Sequence, residues 1–178
     1  VWAKQLIIPG LNLNPDNYTS LAMNLALFGH EKSEEILDEE RTQLQNKDRL
    51  DRFDFLRPSL SAKVETRDSV FLSFAKPENR EKESWVLSAC RYIHHPLRQQ
   101  HSVKHLELAL ESMEEIQKTG DIFFPKGWAS STFGQYSSKE AMDKVDQFLN
   151  NNPDFNPILK NKILQAADNL YRAQKNLE

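Results

Sequence analysis

A single cysteine, Cys90, stands among 178 residues. No internal disulfide can staple the chain, and no thiolate cluster can hold a metal. Cys90 follows Trp85, Val86 and Ala89 towards Ile93 and reads as a small buried apolar group. Glycine is scarce too, at five residues against eight prolines, which excludes collagen-like and glycine-rich linker compositions. No window approaches the roughly eighteen apolar residues that a membrane-spanning helix needs, so membrane insertion is not expected. Neither sign of charge dominates, since 23 basic and 26 acidic residues leave a net −3. The basic residues are interspersed with acids rather than gathered into a stripe, which argues against a nucleic-acid partner.

Self-contained catalytic signatures are missing as well. There is no Ser-His-Asp order, no glycine-rich phosphate loop and no Cys-x-x-Cys. The start, Val1-Trp2-Ala3-Lys4, has neither an initiator Met nor the basic-then-apolar layout of a signal peptide. It is expected to be a cut in a longer chain, with residues 1–14 a linker from a preceding domain.

What remains is the composition of a soluble globular protein, 39% hydrophobic and 28% charged. A chain of this length buries roughly 70% of its unfolded surface, enough for one helical domain over residues 1–178. Hydrophobic periodicity predicts about seven helices and no strand. Asn14-Pro15 opens the first as N-cap and N1, the stripe Tyr18, Leu21, Ala22, Leu25, Phe28 follows, and Gly29 closes it. Further helices are expected from about Ser33 to Gln45, Asp48 to Leu56 and Val64 to Ala75, broken at Pro58 and Pro77. Asn79 to His94 is next, turned by Pro96, and then the longest, Leu97 to Lys118, with Leu106, Ala109, Leu110, Met113 and Ile116 inward and Gly120 as its stop. After an aromatic loop, Ser137 and Glu140 form a capping box, and Asn156-Pro157 opens a last helix with Leu159, Ile163, Ala166, Ala167 and Leu170 on its face.

Short proline-containing connections between amphipathic helices fit an all-α superhelical array of antiparallel hairpins, a HEAT/armadillo-like α-solenoid. An internal echo points the same way: Phe71-Leu72 with Val86-Leu87 recurs as Phe148-Leu149 with Ile163-Leu164, both 77 residues on.

Few residues carry candidate chemistry. His101 and His105 are spaced i, i+4, but the zinc-hydrolase pattern needs Glu where Ser102 stands, and Lys104 adds a positive charge. Two solvated histidines are the expectation, and no metal site. Adjacent carboxylates at Glu34/Glu35, Glu39/Glu40 and Glu114/Glu115 read as solvated helix faces. His94-His95-Pro96-Leu97-Arg98 marks an interhelical corner. Arg98 there is either structural or a planar cation aimed at a substrate carboxylate. The loop holding Phe123, Phe124 and Trp128 is either a packed plug or the lining of a substrate cleft.

Four segments carry a family likeness: Trp85-Val86-Leu87, His94-His95-Pro96-Leu97-Arg98, Gly120-Asp121-Ile122-Phe123-Phe124-Pro125-Lys126 and Ile163-Leu164-Gln165-Ala166-Ala167. With them the chain, over about residues 5 to 173, resembles the C-terminal helical domain of bacterial M1-family zinc aminopeptidases, of the aminopeptidase N type. The resemblance implies a non-catalytic module that covers the active-site cleft and limits access of peptide substrates. Its implied partners are the catalytic domain of the same chain and the peptide. Zinc would sit in that catalytic domain and no cofactor in this fragment, since the zinc ligands, the Glu base and the exopeptidase motif have no counterpart here. Arg98, Phe123, Phe124 and Trp128 become substrate-cleft candidates. Bacterial relatives imply the cytoplasm or the cell envelope. A different class, a stand-alone helical-repeat scaffold that binds a protein or peptide, fits the same periodicity. A metallohydrolase using His101 and His105 would require tight zinc binding, lost on changing both to Ala.

Overall fold

Residues 12–176 are described by the computed structural model, and among them the regular structure is entirely helical. Of the expected linker, residues 1–11 lie outside the described part, and residues 12–14 carry no regular structure. The helices are α1 (Pro15–Leu27), α2 (Ser33–Gln43), α3 (Lys47–Leu60), α4 (Val64–Ser73), α5 (Glu83–Ile93), α6 (Gln99–Ser102), α7 (Leu106–Glu111), α8 (Met113–Thr119), α9 (Phe124–Thr132), α10 (Lys139–Asn151), α11 (Pro157–Ala166) and α12 (Asp168–Lys175). Three 3₁₀ turns, Pro77–Arg80, Pro96–Arg98 and Val103–His105, join them.

Local chemistry explains most of the boundaries. Asn14 caps α1 in a reciprocal box with Asn17, and Pro15 fills the position where a missing N–H costs nothing. Gly29 takes φ +73°, the left-handed turn past the end of α1. Asn46, Ser138 and Asn156 cap α3, α10 and α11 by accepting backbone N–H groups. The cap of α10 is thus Ser138, one residue beyond the expected Ser137.

Four further expectations change. Pro58 does not break α3 but sits in its last turn, and the helix runs on to Leu60. Lys47 to Leu60 is therefore longer than the Asp48 to Leu56 span read from the sequence. The α1 face is rotated from its expected stripe: Ala22, Met23, Ala26 and Leu27 are buried, whereas Leu21 and Phe28 are exposed. The long helix expected from Leu97 to Lys118 is divided into α6, α7 and α8. At Ser112, between α7 and α8, the hydroxyl donates back to Leu108 O at 2.7 Å, sharing that carbonyl with the Ser112 N–H at 3.0 Å. The last helix is likewise divided at Ala167.

The helices stack in a row in which α1 meets α3, α3 meets α5, α5 meets α9, and α9 meets α11, while α10 packs on α7 and α12. The buried apolar side chains form one continuous cluster from Ala22 to Leu170. Leu106, Ala109, Leu110, Met113 and Ile116 all lie in it, so the inward stripe survives the breaks in its helix. α5 and α9 approach closely at Gly127, where an added Cβ would lie 2.6 Å from Leu87 Cδ1 and that side chain would have to shift.

Candidate functional site

The aromatic stretch Thr119–Trp128 is not a loop but the end of α8, a tight turn and the start of α9. Gly120 stops α8 as expected, in an extended conformation with φ −102°. Its missing Cβ is still required, because one would lie 2.5 Å from Phe124 Cδ1 and 2.9 Å from Ile116 O. Asp121 N–H donates to Glu83 Oε1 at 2.7 Å and ties the turn to the first residue of α5. Asp121 Oδ1 accepts the Phe123 N–H at 2.8 Å, so the turn also holds itself.

The four cleft candidates separate here. Phe124 and Trp128 are buried, and the Trp128 indole donates to Ala109 O at 2.8 Å, which satisfies its one polar atom. Trp128 stacks on Phe71 with ring centroids 5.8 Å apart and meets Phe124 edge-on. Phe123 stays 76% exposed beside Ile122, uncovered by Trp128, at the tip of the corner. Next to this tip is an open cleft of about 440 Å³ lined by Glu78, Glu81, Glu83, Thr119, Gly120 and Phe124. Arg80 forms its inner wall, its guanidinium donating to Phe74 O and pairing with Glu115 on α8.

Arg98 is 7% exposed and engaged inside the fold. Its guanidinium donates to Ser59 O at 2.8 Å, Leu60 O at 2.9 Å and Tyr92 O at 3.3 Å. Two of those carbonyls belong to the last turn of α3, where the helix offers them no partner. Burial, with a contribution from nearby Arg67, lowers the Arg98 pKa to about 10, so the group stays charged at neutral pH. Arg67 donates to Ser61 O and Ala62 O in the following turn. The cation expected to face a cleft instead completes a helix end, together with a second arginine.

The core also holds a group of buried polar rings. His94 Nδ1 and Tyr136 Oη are 2.8 Å apart, and both residues are buried. His105, expected to be solvated, is buried too, with Nε2 2.7 Å from Asp68 Oδ1. The helix spacing fails because 103–105 is a 3₁₀ turn, so His101 remains outside while His105 turns in. Phe71 lies against both histidines, with ring centroids 4.8 Å from His94 and 5.0 Å from His105. Burial lowers the His94 pKa to about 3 and holds the ring neutral. Burial also lowers His105, outweighing its Asp68 partner. Lys104 and His105 hold Asp68 below the usual carboxylate range despite its partial burial. Tyr136 and Cys90 are pushed by burial well above their ordinary values. His94, Tyr136 and Cys90 are buried and held in their neutral forms at neutral pH, so their arrangement serves packing.

Among the described residues no cluster of three or more His, Cys, Asp or Glu side chains is placed to hold a metal ion, and no helix is long and apolar enough to cross a membrane. Sequence reasoning missed Arg67, Asp68, Arg80 and Tyr136. A signal existed for the first two, which share a helix face with Val64 and Phe71, so that charge interrupts an apolar stripe. None marks Arg80, whose partners lie on other elements. Against protein-family models, curated proteins and solved structures alike, the chain gives no match.

Proposed function

We propose that the chain is the C-terminal helical domain of an M1-family zinc aminopeptidase, a non-catalytic module that covers the active-site cleft of its parent enzyme and restricts peptide access. The observation that carries this reading is where the four family-like segments fall. Trp85-Val86-Leu87 lies on α5, His94–Arg98 directly follows it, Gly120–Lys126 starts α9, and Ile163–Ala167 ends α11. Because α5 packs on α9 and α9 on α11, segments far apart in sequence make one contiguous block. The row α1, α3, α5, α9, α11 supports a HEAT/armadillo-like solenoid, in which alternate helices stack along one layer. In this reading Phe123, with Ile122 and the cleft beside it, is the part of the aromatic motif left to meet the catalytic domain or its peptide, while Phe124, Trp128 and Arg98 set the corner's shape.

Intact mass and bound zinc of the natural polypeptide carrying this sequence test the reading. A mass several times 20.7 kDa with about one zinc is expected, along with aminopeptidase activity that the 178-residue chain lacks when expressed by itself. A metal-free natural polypeptide near the mass of this chain would overturn it in favour of a peptide- or protein-binding scaffold.

A further inference from the structure

A small pocket between α1, α3 and the end of α5 has the composition of a ligand site. It encloses about 120 Å³ over an apolar floor of Met23, Leu44, Phe53 and Leu56. An apolar cavity of roughly 150 Å³ takes a benzene ring, so this one fits a single branched aliphatic side chain and is too small for a long acyl chain. Two polar groups stand over that floor without a strong partner among the described residues. The Tyr92 hydroxyl reaches only the Met23 thioether, a weak acceptor, at 3.5 Å. Arg52 is exposed and forms no ion pair with any described residue.

The remaining charges at the mouth are spoken for. Arg49 pairs with Asp16 at 3.2 Å, and the Thr19 hydroxyl donates to Glu40 at 2.7 Å. Among the described residues the pocket therefore offers one surplus positive charge and a weakly engaged Tyr92 hydroxyl above an aliphatic slot, with Ser20 also in its lining. Burial keeps the Tyr92 phenol protonated, its pKa raised even against the pull of Arg52 and Arg91, so it remains a donor at neutral pH.

We infer that this pocket binds the C-terminal residue of a peptide, its aliphatic side chain seated on Met23, Phe53 and Leu56 and its α-carboxylate held by Arg52 and the Tyr92 hydroxyl. A free carboxylate satisfies both donors at once, whereas an internal peptide segment brings only neutral carbonyls. The inference is independent of the aminopeptidase reading, since the pocket shares no lining residue with the cleft at the α8–α9 corner.

Fluorescence anisotropy of an N-terminally labelled tripeptide ending in leucine, titrated with the full 178-residue chain, tests it. Saturable binding is expected for the free acid, weakened about tenfold or more by C-terminal amidation or by Arg52→Gln. Tyr92→Phe should weaken it less, and replacing the terminal leucine by glycine should abolish it. Arg172→Gln, at a distant surface arginine already paired with Asp168, should change nothing. Equal affinity for acid and amide, no saturation, or equal losses in Arg52→Gln and Arg172→Gln would each overturn the assignment; circular dichroism of every variant separates these results from unfolding.

Discussion

Two arginines tie α3 to its neighbours, one of its own reaching outward and one reaching in from another element. Arg57, on its outer face, donates to Asp38 at 2.6 Å and Glu34 at 3.0 Å on α2, and both carboxylates are largely exposed. Arg98, from the α5–α6 corner, donates to carbonyls of the last α3 turn where water is excluded. The outer pair has good geometry and opposite charges, yet solvent competes for each of its partners and long side chains must be ordered to form it. The inner arginine meets only neutral acceptors, but those acceptors have no alternative partner. A buried group left unpaired costs more than a surface pair contributes, so the less conspicuous contact matters more.

The comparison predicts that Arg98→Ala destabilises the fold by about 2–3 kcal/mol in urea unfolding, since it strands the Ser59 and Leu60 carbonyls. Arg98→Lys should recover little, because one ammonium cannot span the fork. A loss no larger than that of a surface arginine would show water reaching the α3 end.

The same contrast between inside and outside extends to pH. His94 titrates at about 3 in the fold against 6.5 when free, and His105 is lowered as well. Below pH 6.5 the unfolded chain takes up protons that the folded chain refuses, so stability is lost as pH falls from about 6.5 towards 3, and is fully present above it. Each histidine contributes a slope of up to about 1.4 kcal/mol per pH unit. Asp68, held low by Lys104 and His105, adds to this only under more acid conditions, below its ordinary range. Unfolding curves from pH 7 to pH 5 should show the midpoint falling. His94→Gln, which cannot titrate but still offers Tyr136 an acceptor, should flatten that fall. An unchanged slope would mean that His94 is hydrated.

The smallest effect belongs to the outer pair. A double-mutant cycle on Arg57 and Asp38 should give a coupling under about 1 kcal/mol that shrinks further in high salt. A coupling that resists salt would place Arg57 among the structural arginines and erase the distinction.

The sequence was legible where the determinants are local. Asn14-Pro15 and Asn156-Pro157 mark helix starts by their own capping chemistry. The stripe from Leu106 to Ile116 identifies a core face by period alone. Reading failed where distant partners decide. Pro58 stays helical in the last turn of α3, whose end Arg98 completes from 38 residues away along the chain. His105 is taken indoors by Asp68, a partner 37 residues upstream.

By itself, then, the sequence determined the helical class, most helix starts, the apolar faces beyond α1 and the position of the aromatic corner, because capping, proline geometry and periodicity act within a few residues. Only the tertiary structure decided which of Arg98, Phe123, Phe124 and Trp128 face water, and which charges are buried. Burial is set by helices that meet across the fold, and the cost of an unpaired polar group there makes arginines and histidines into parts of the core.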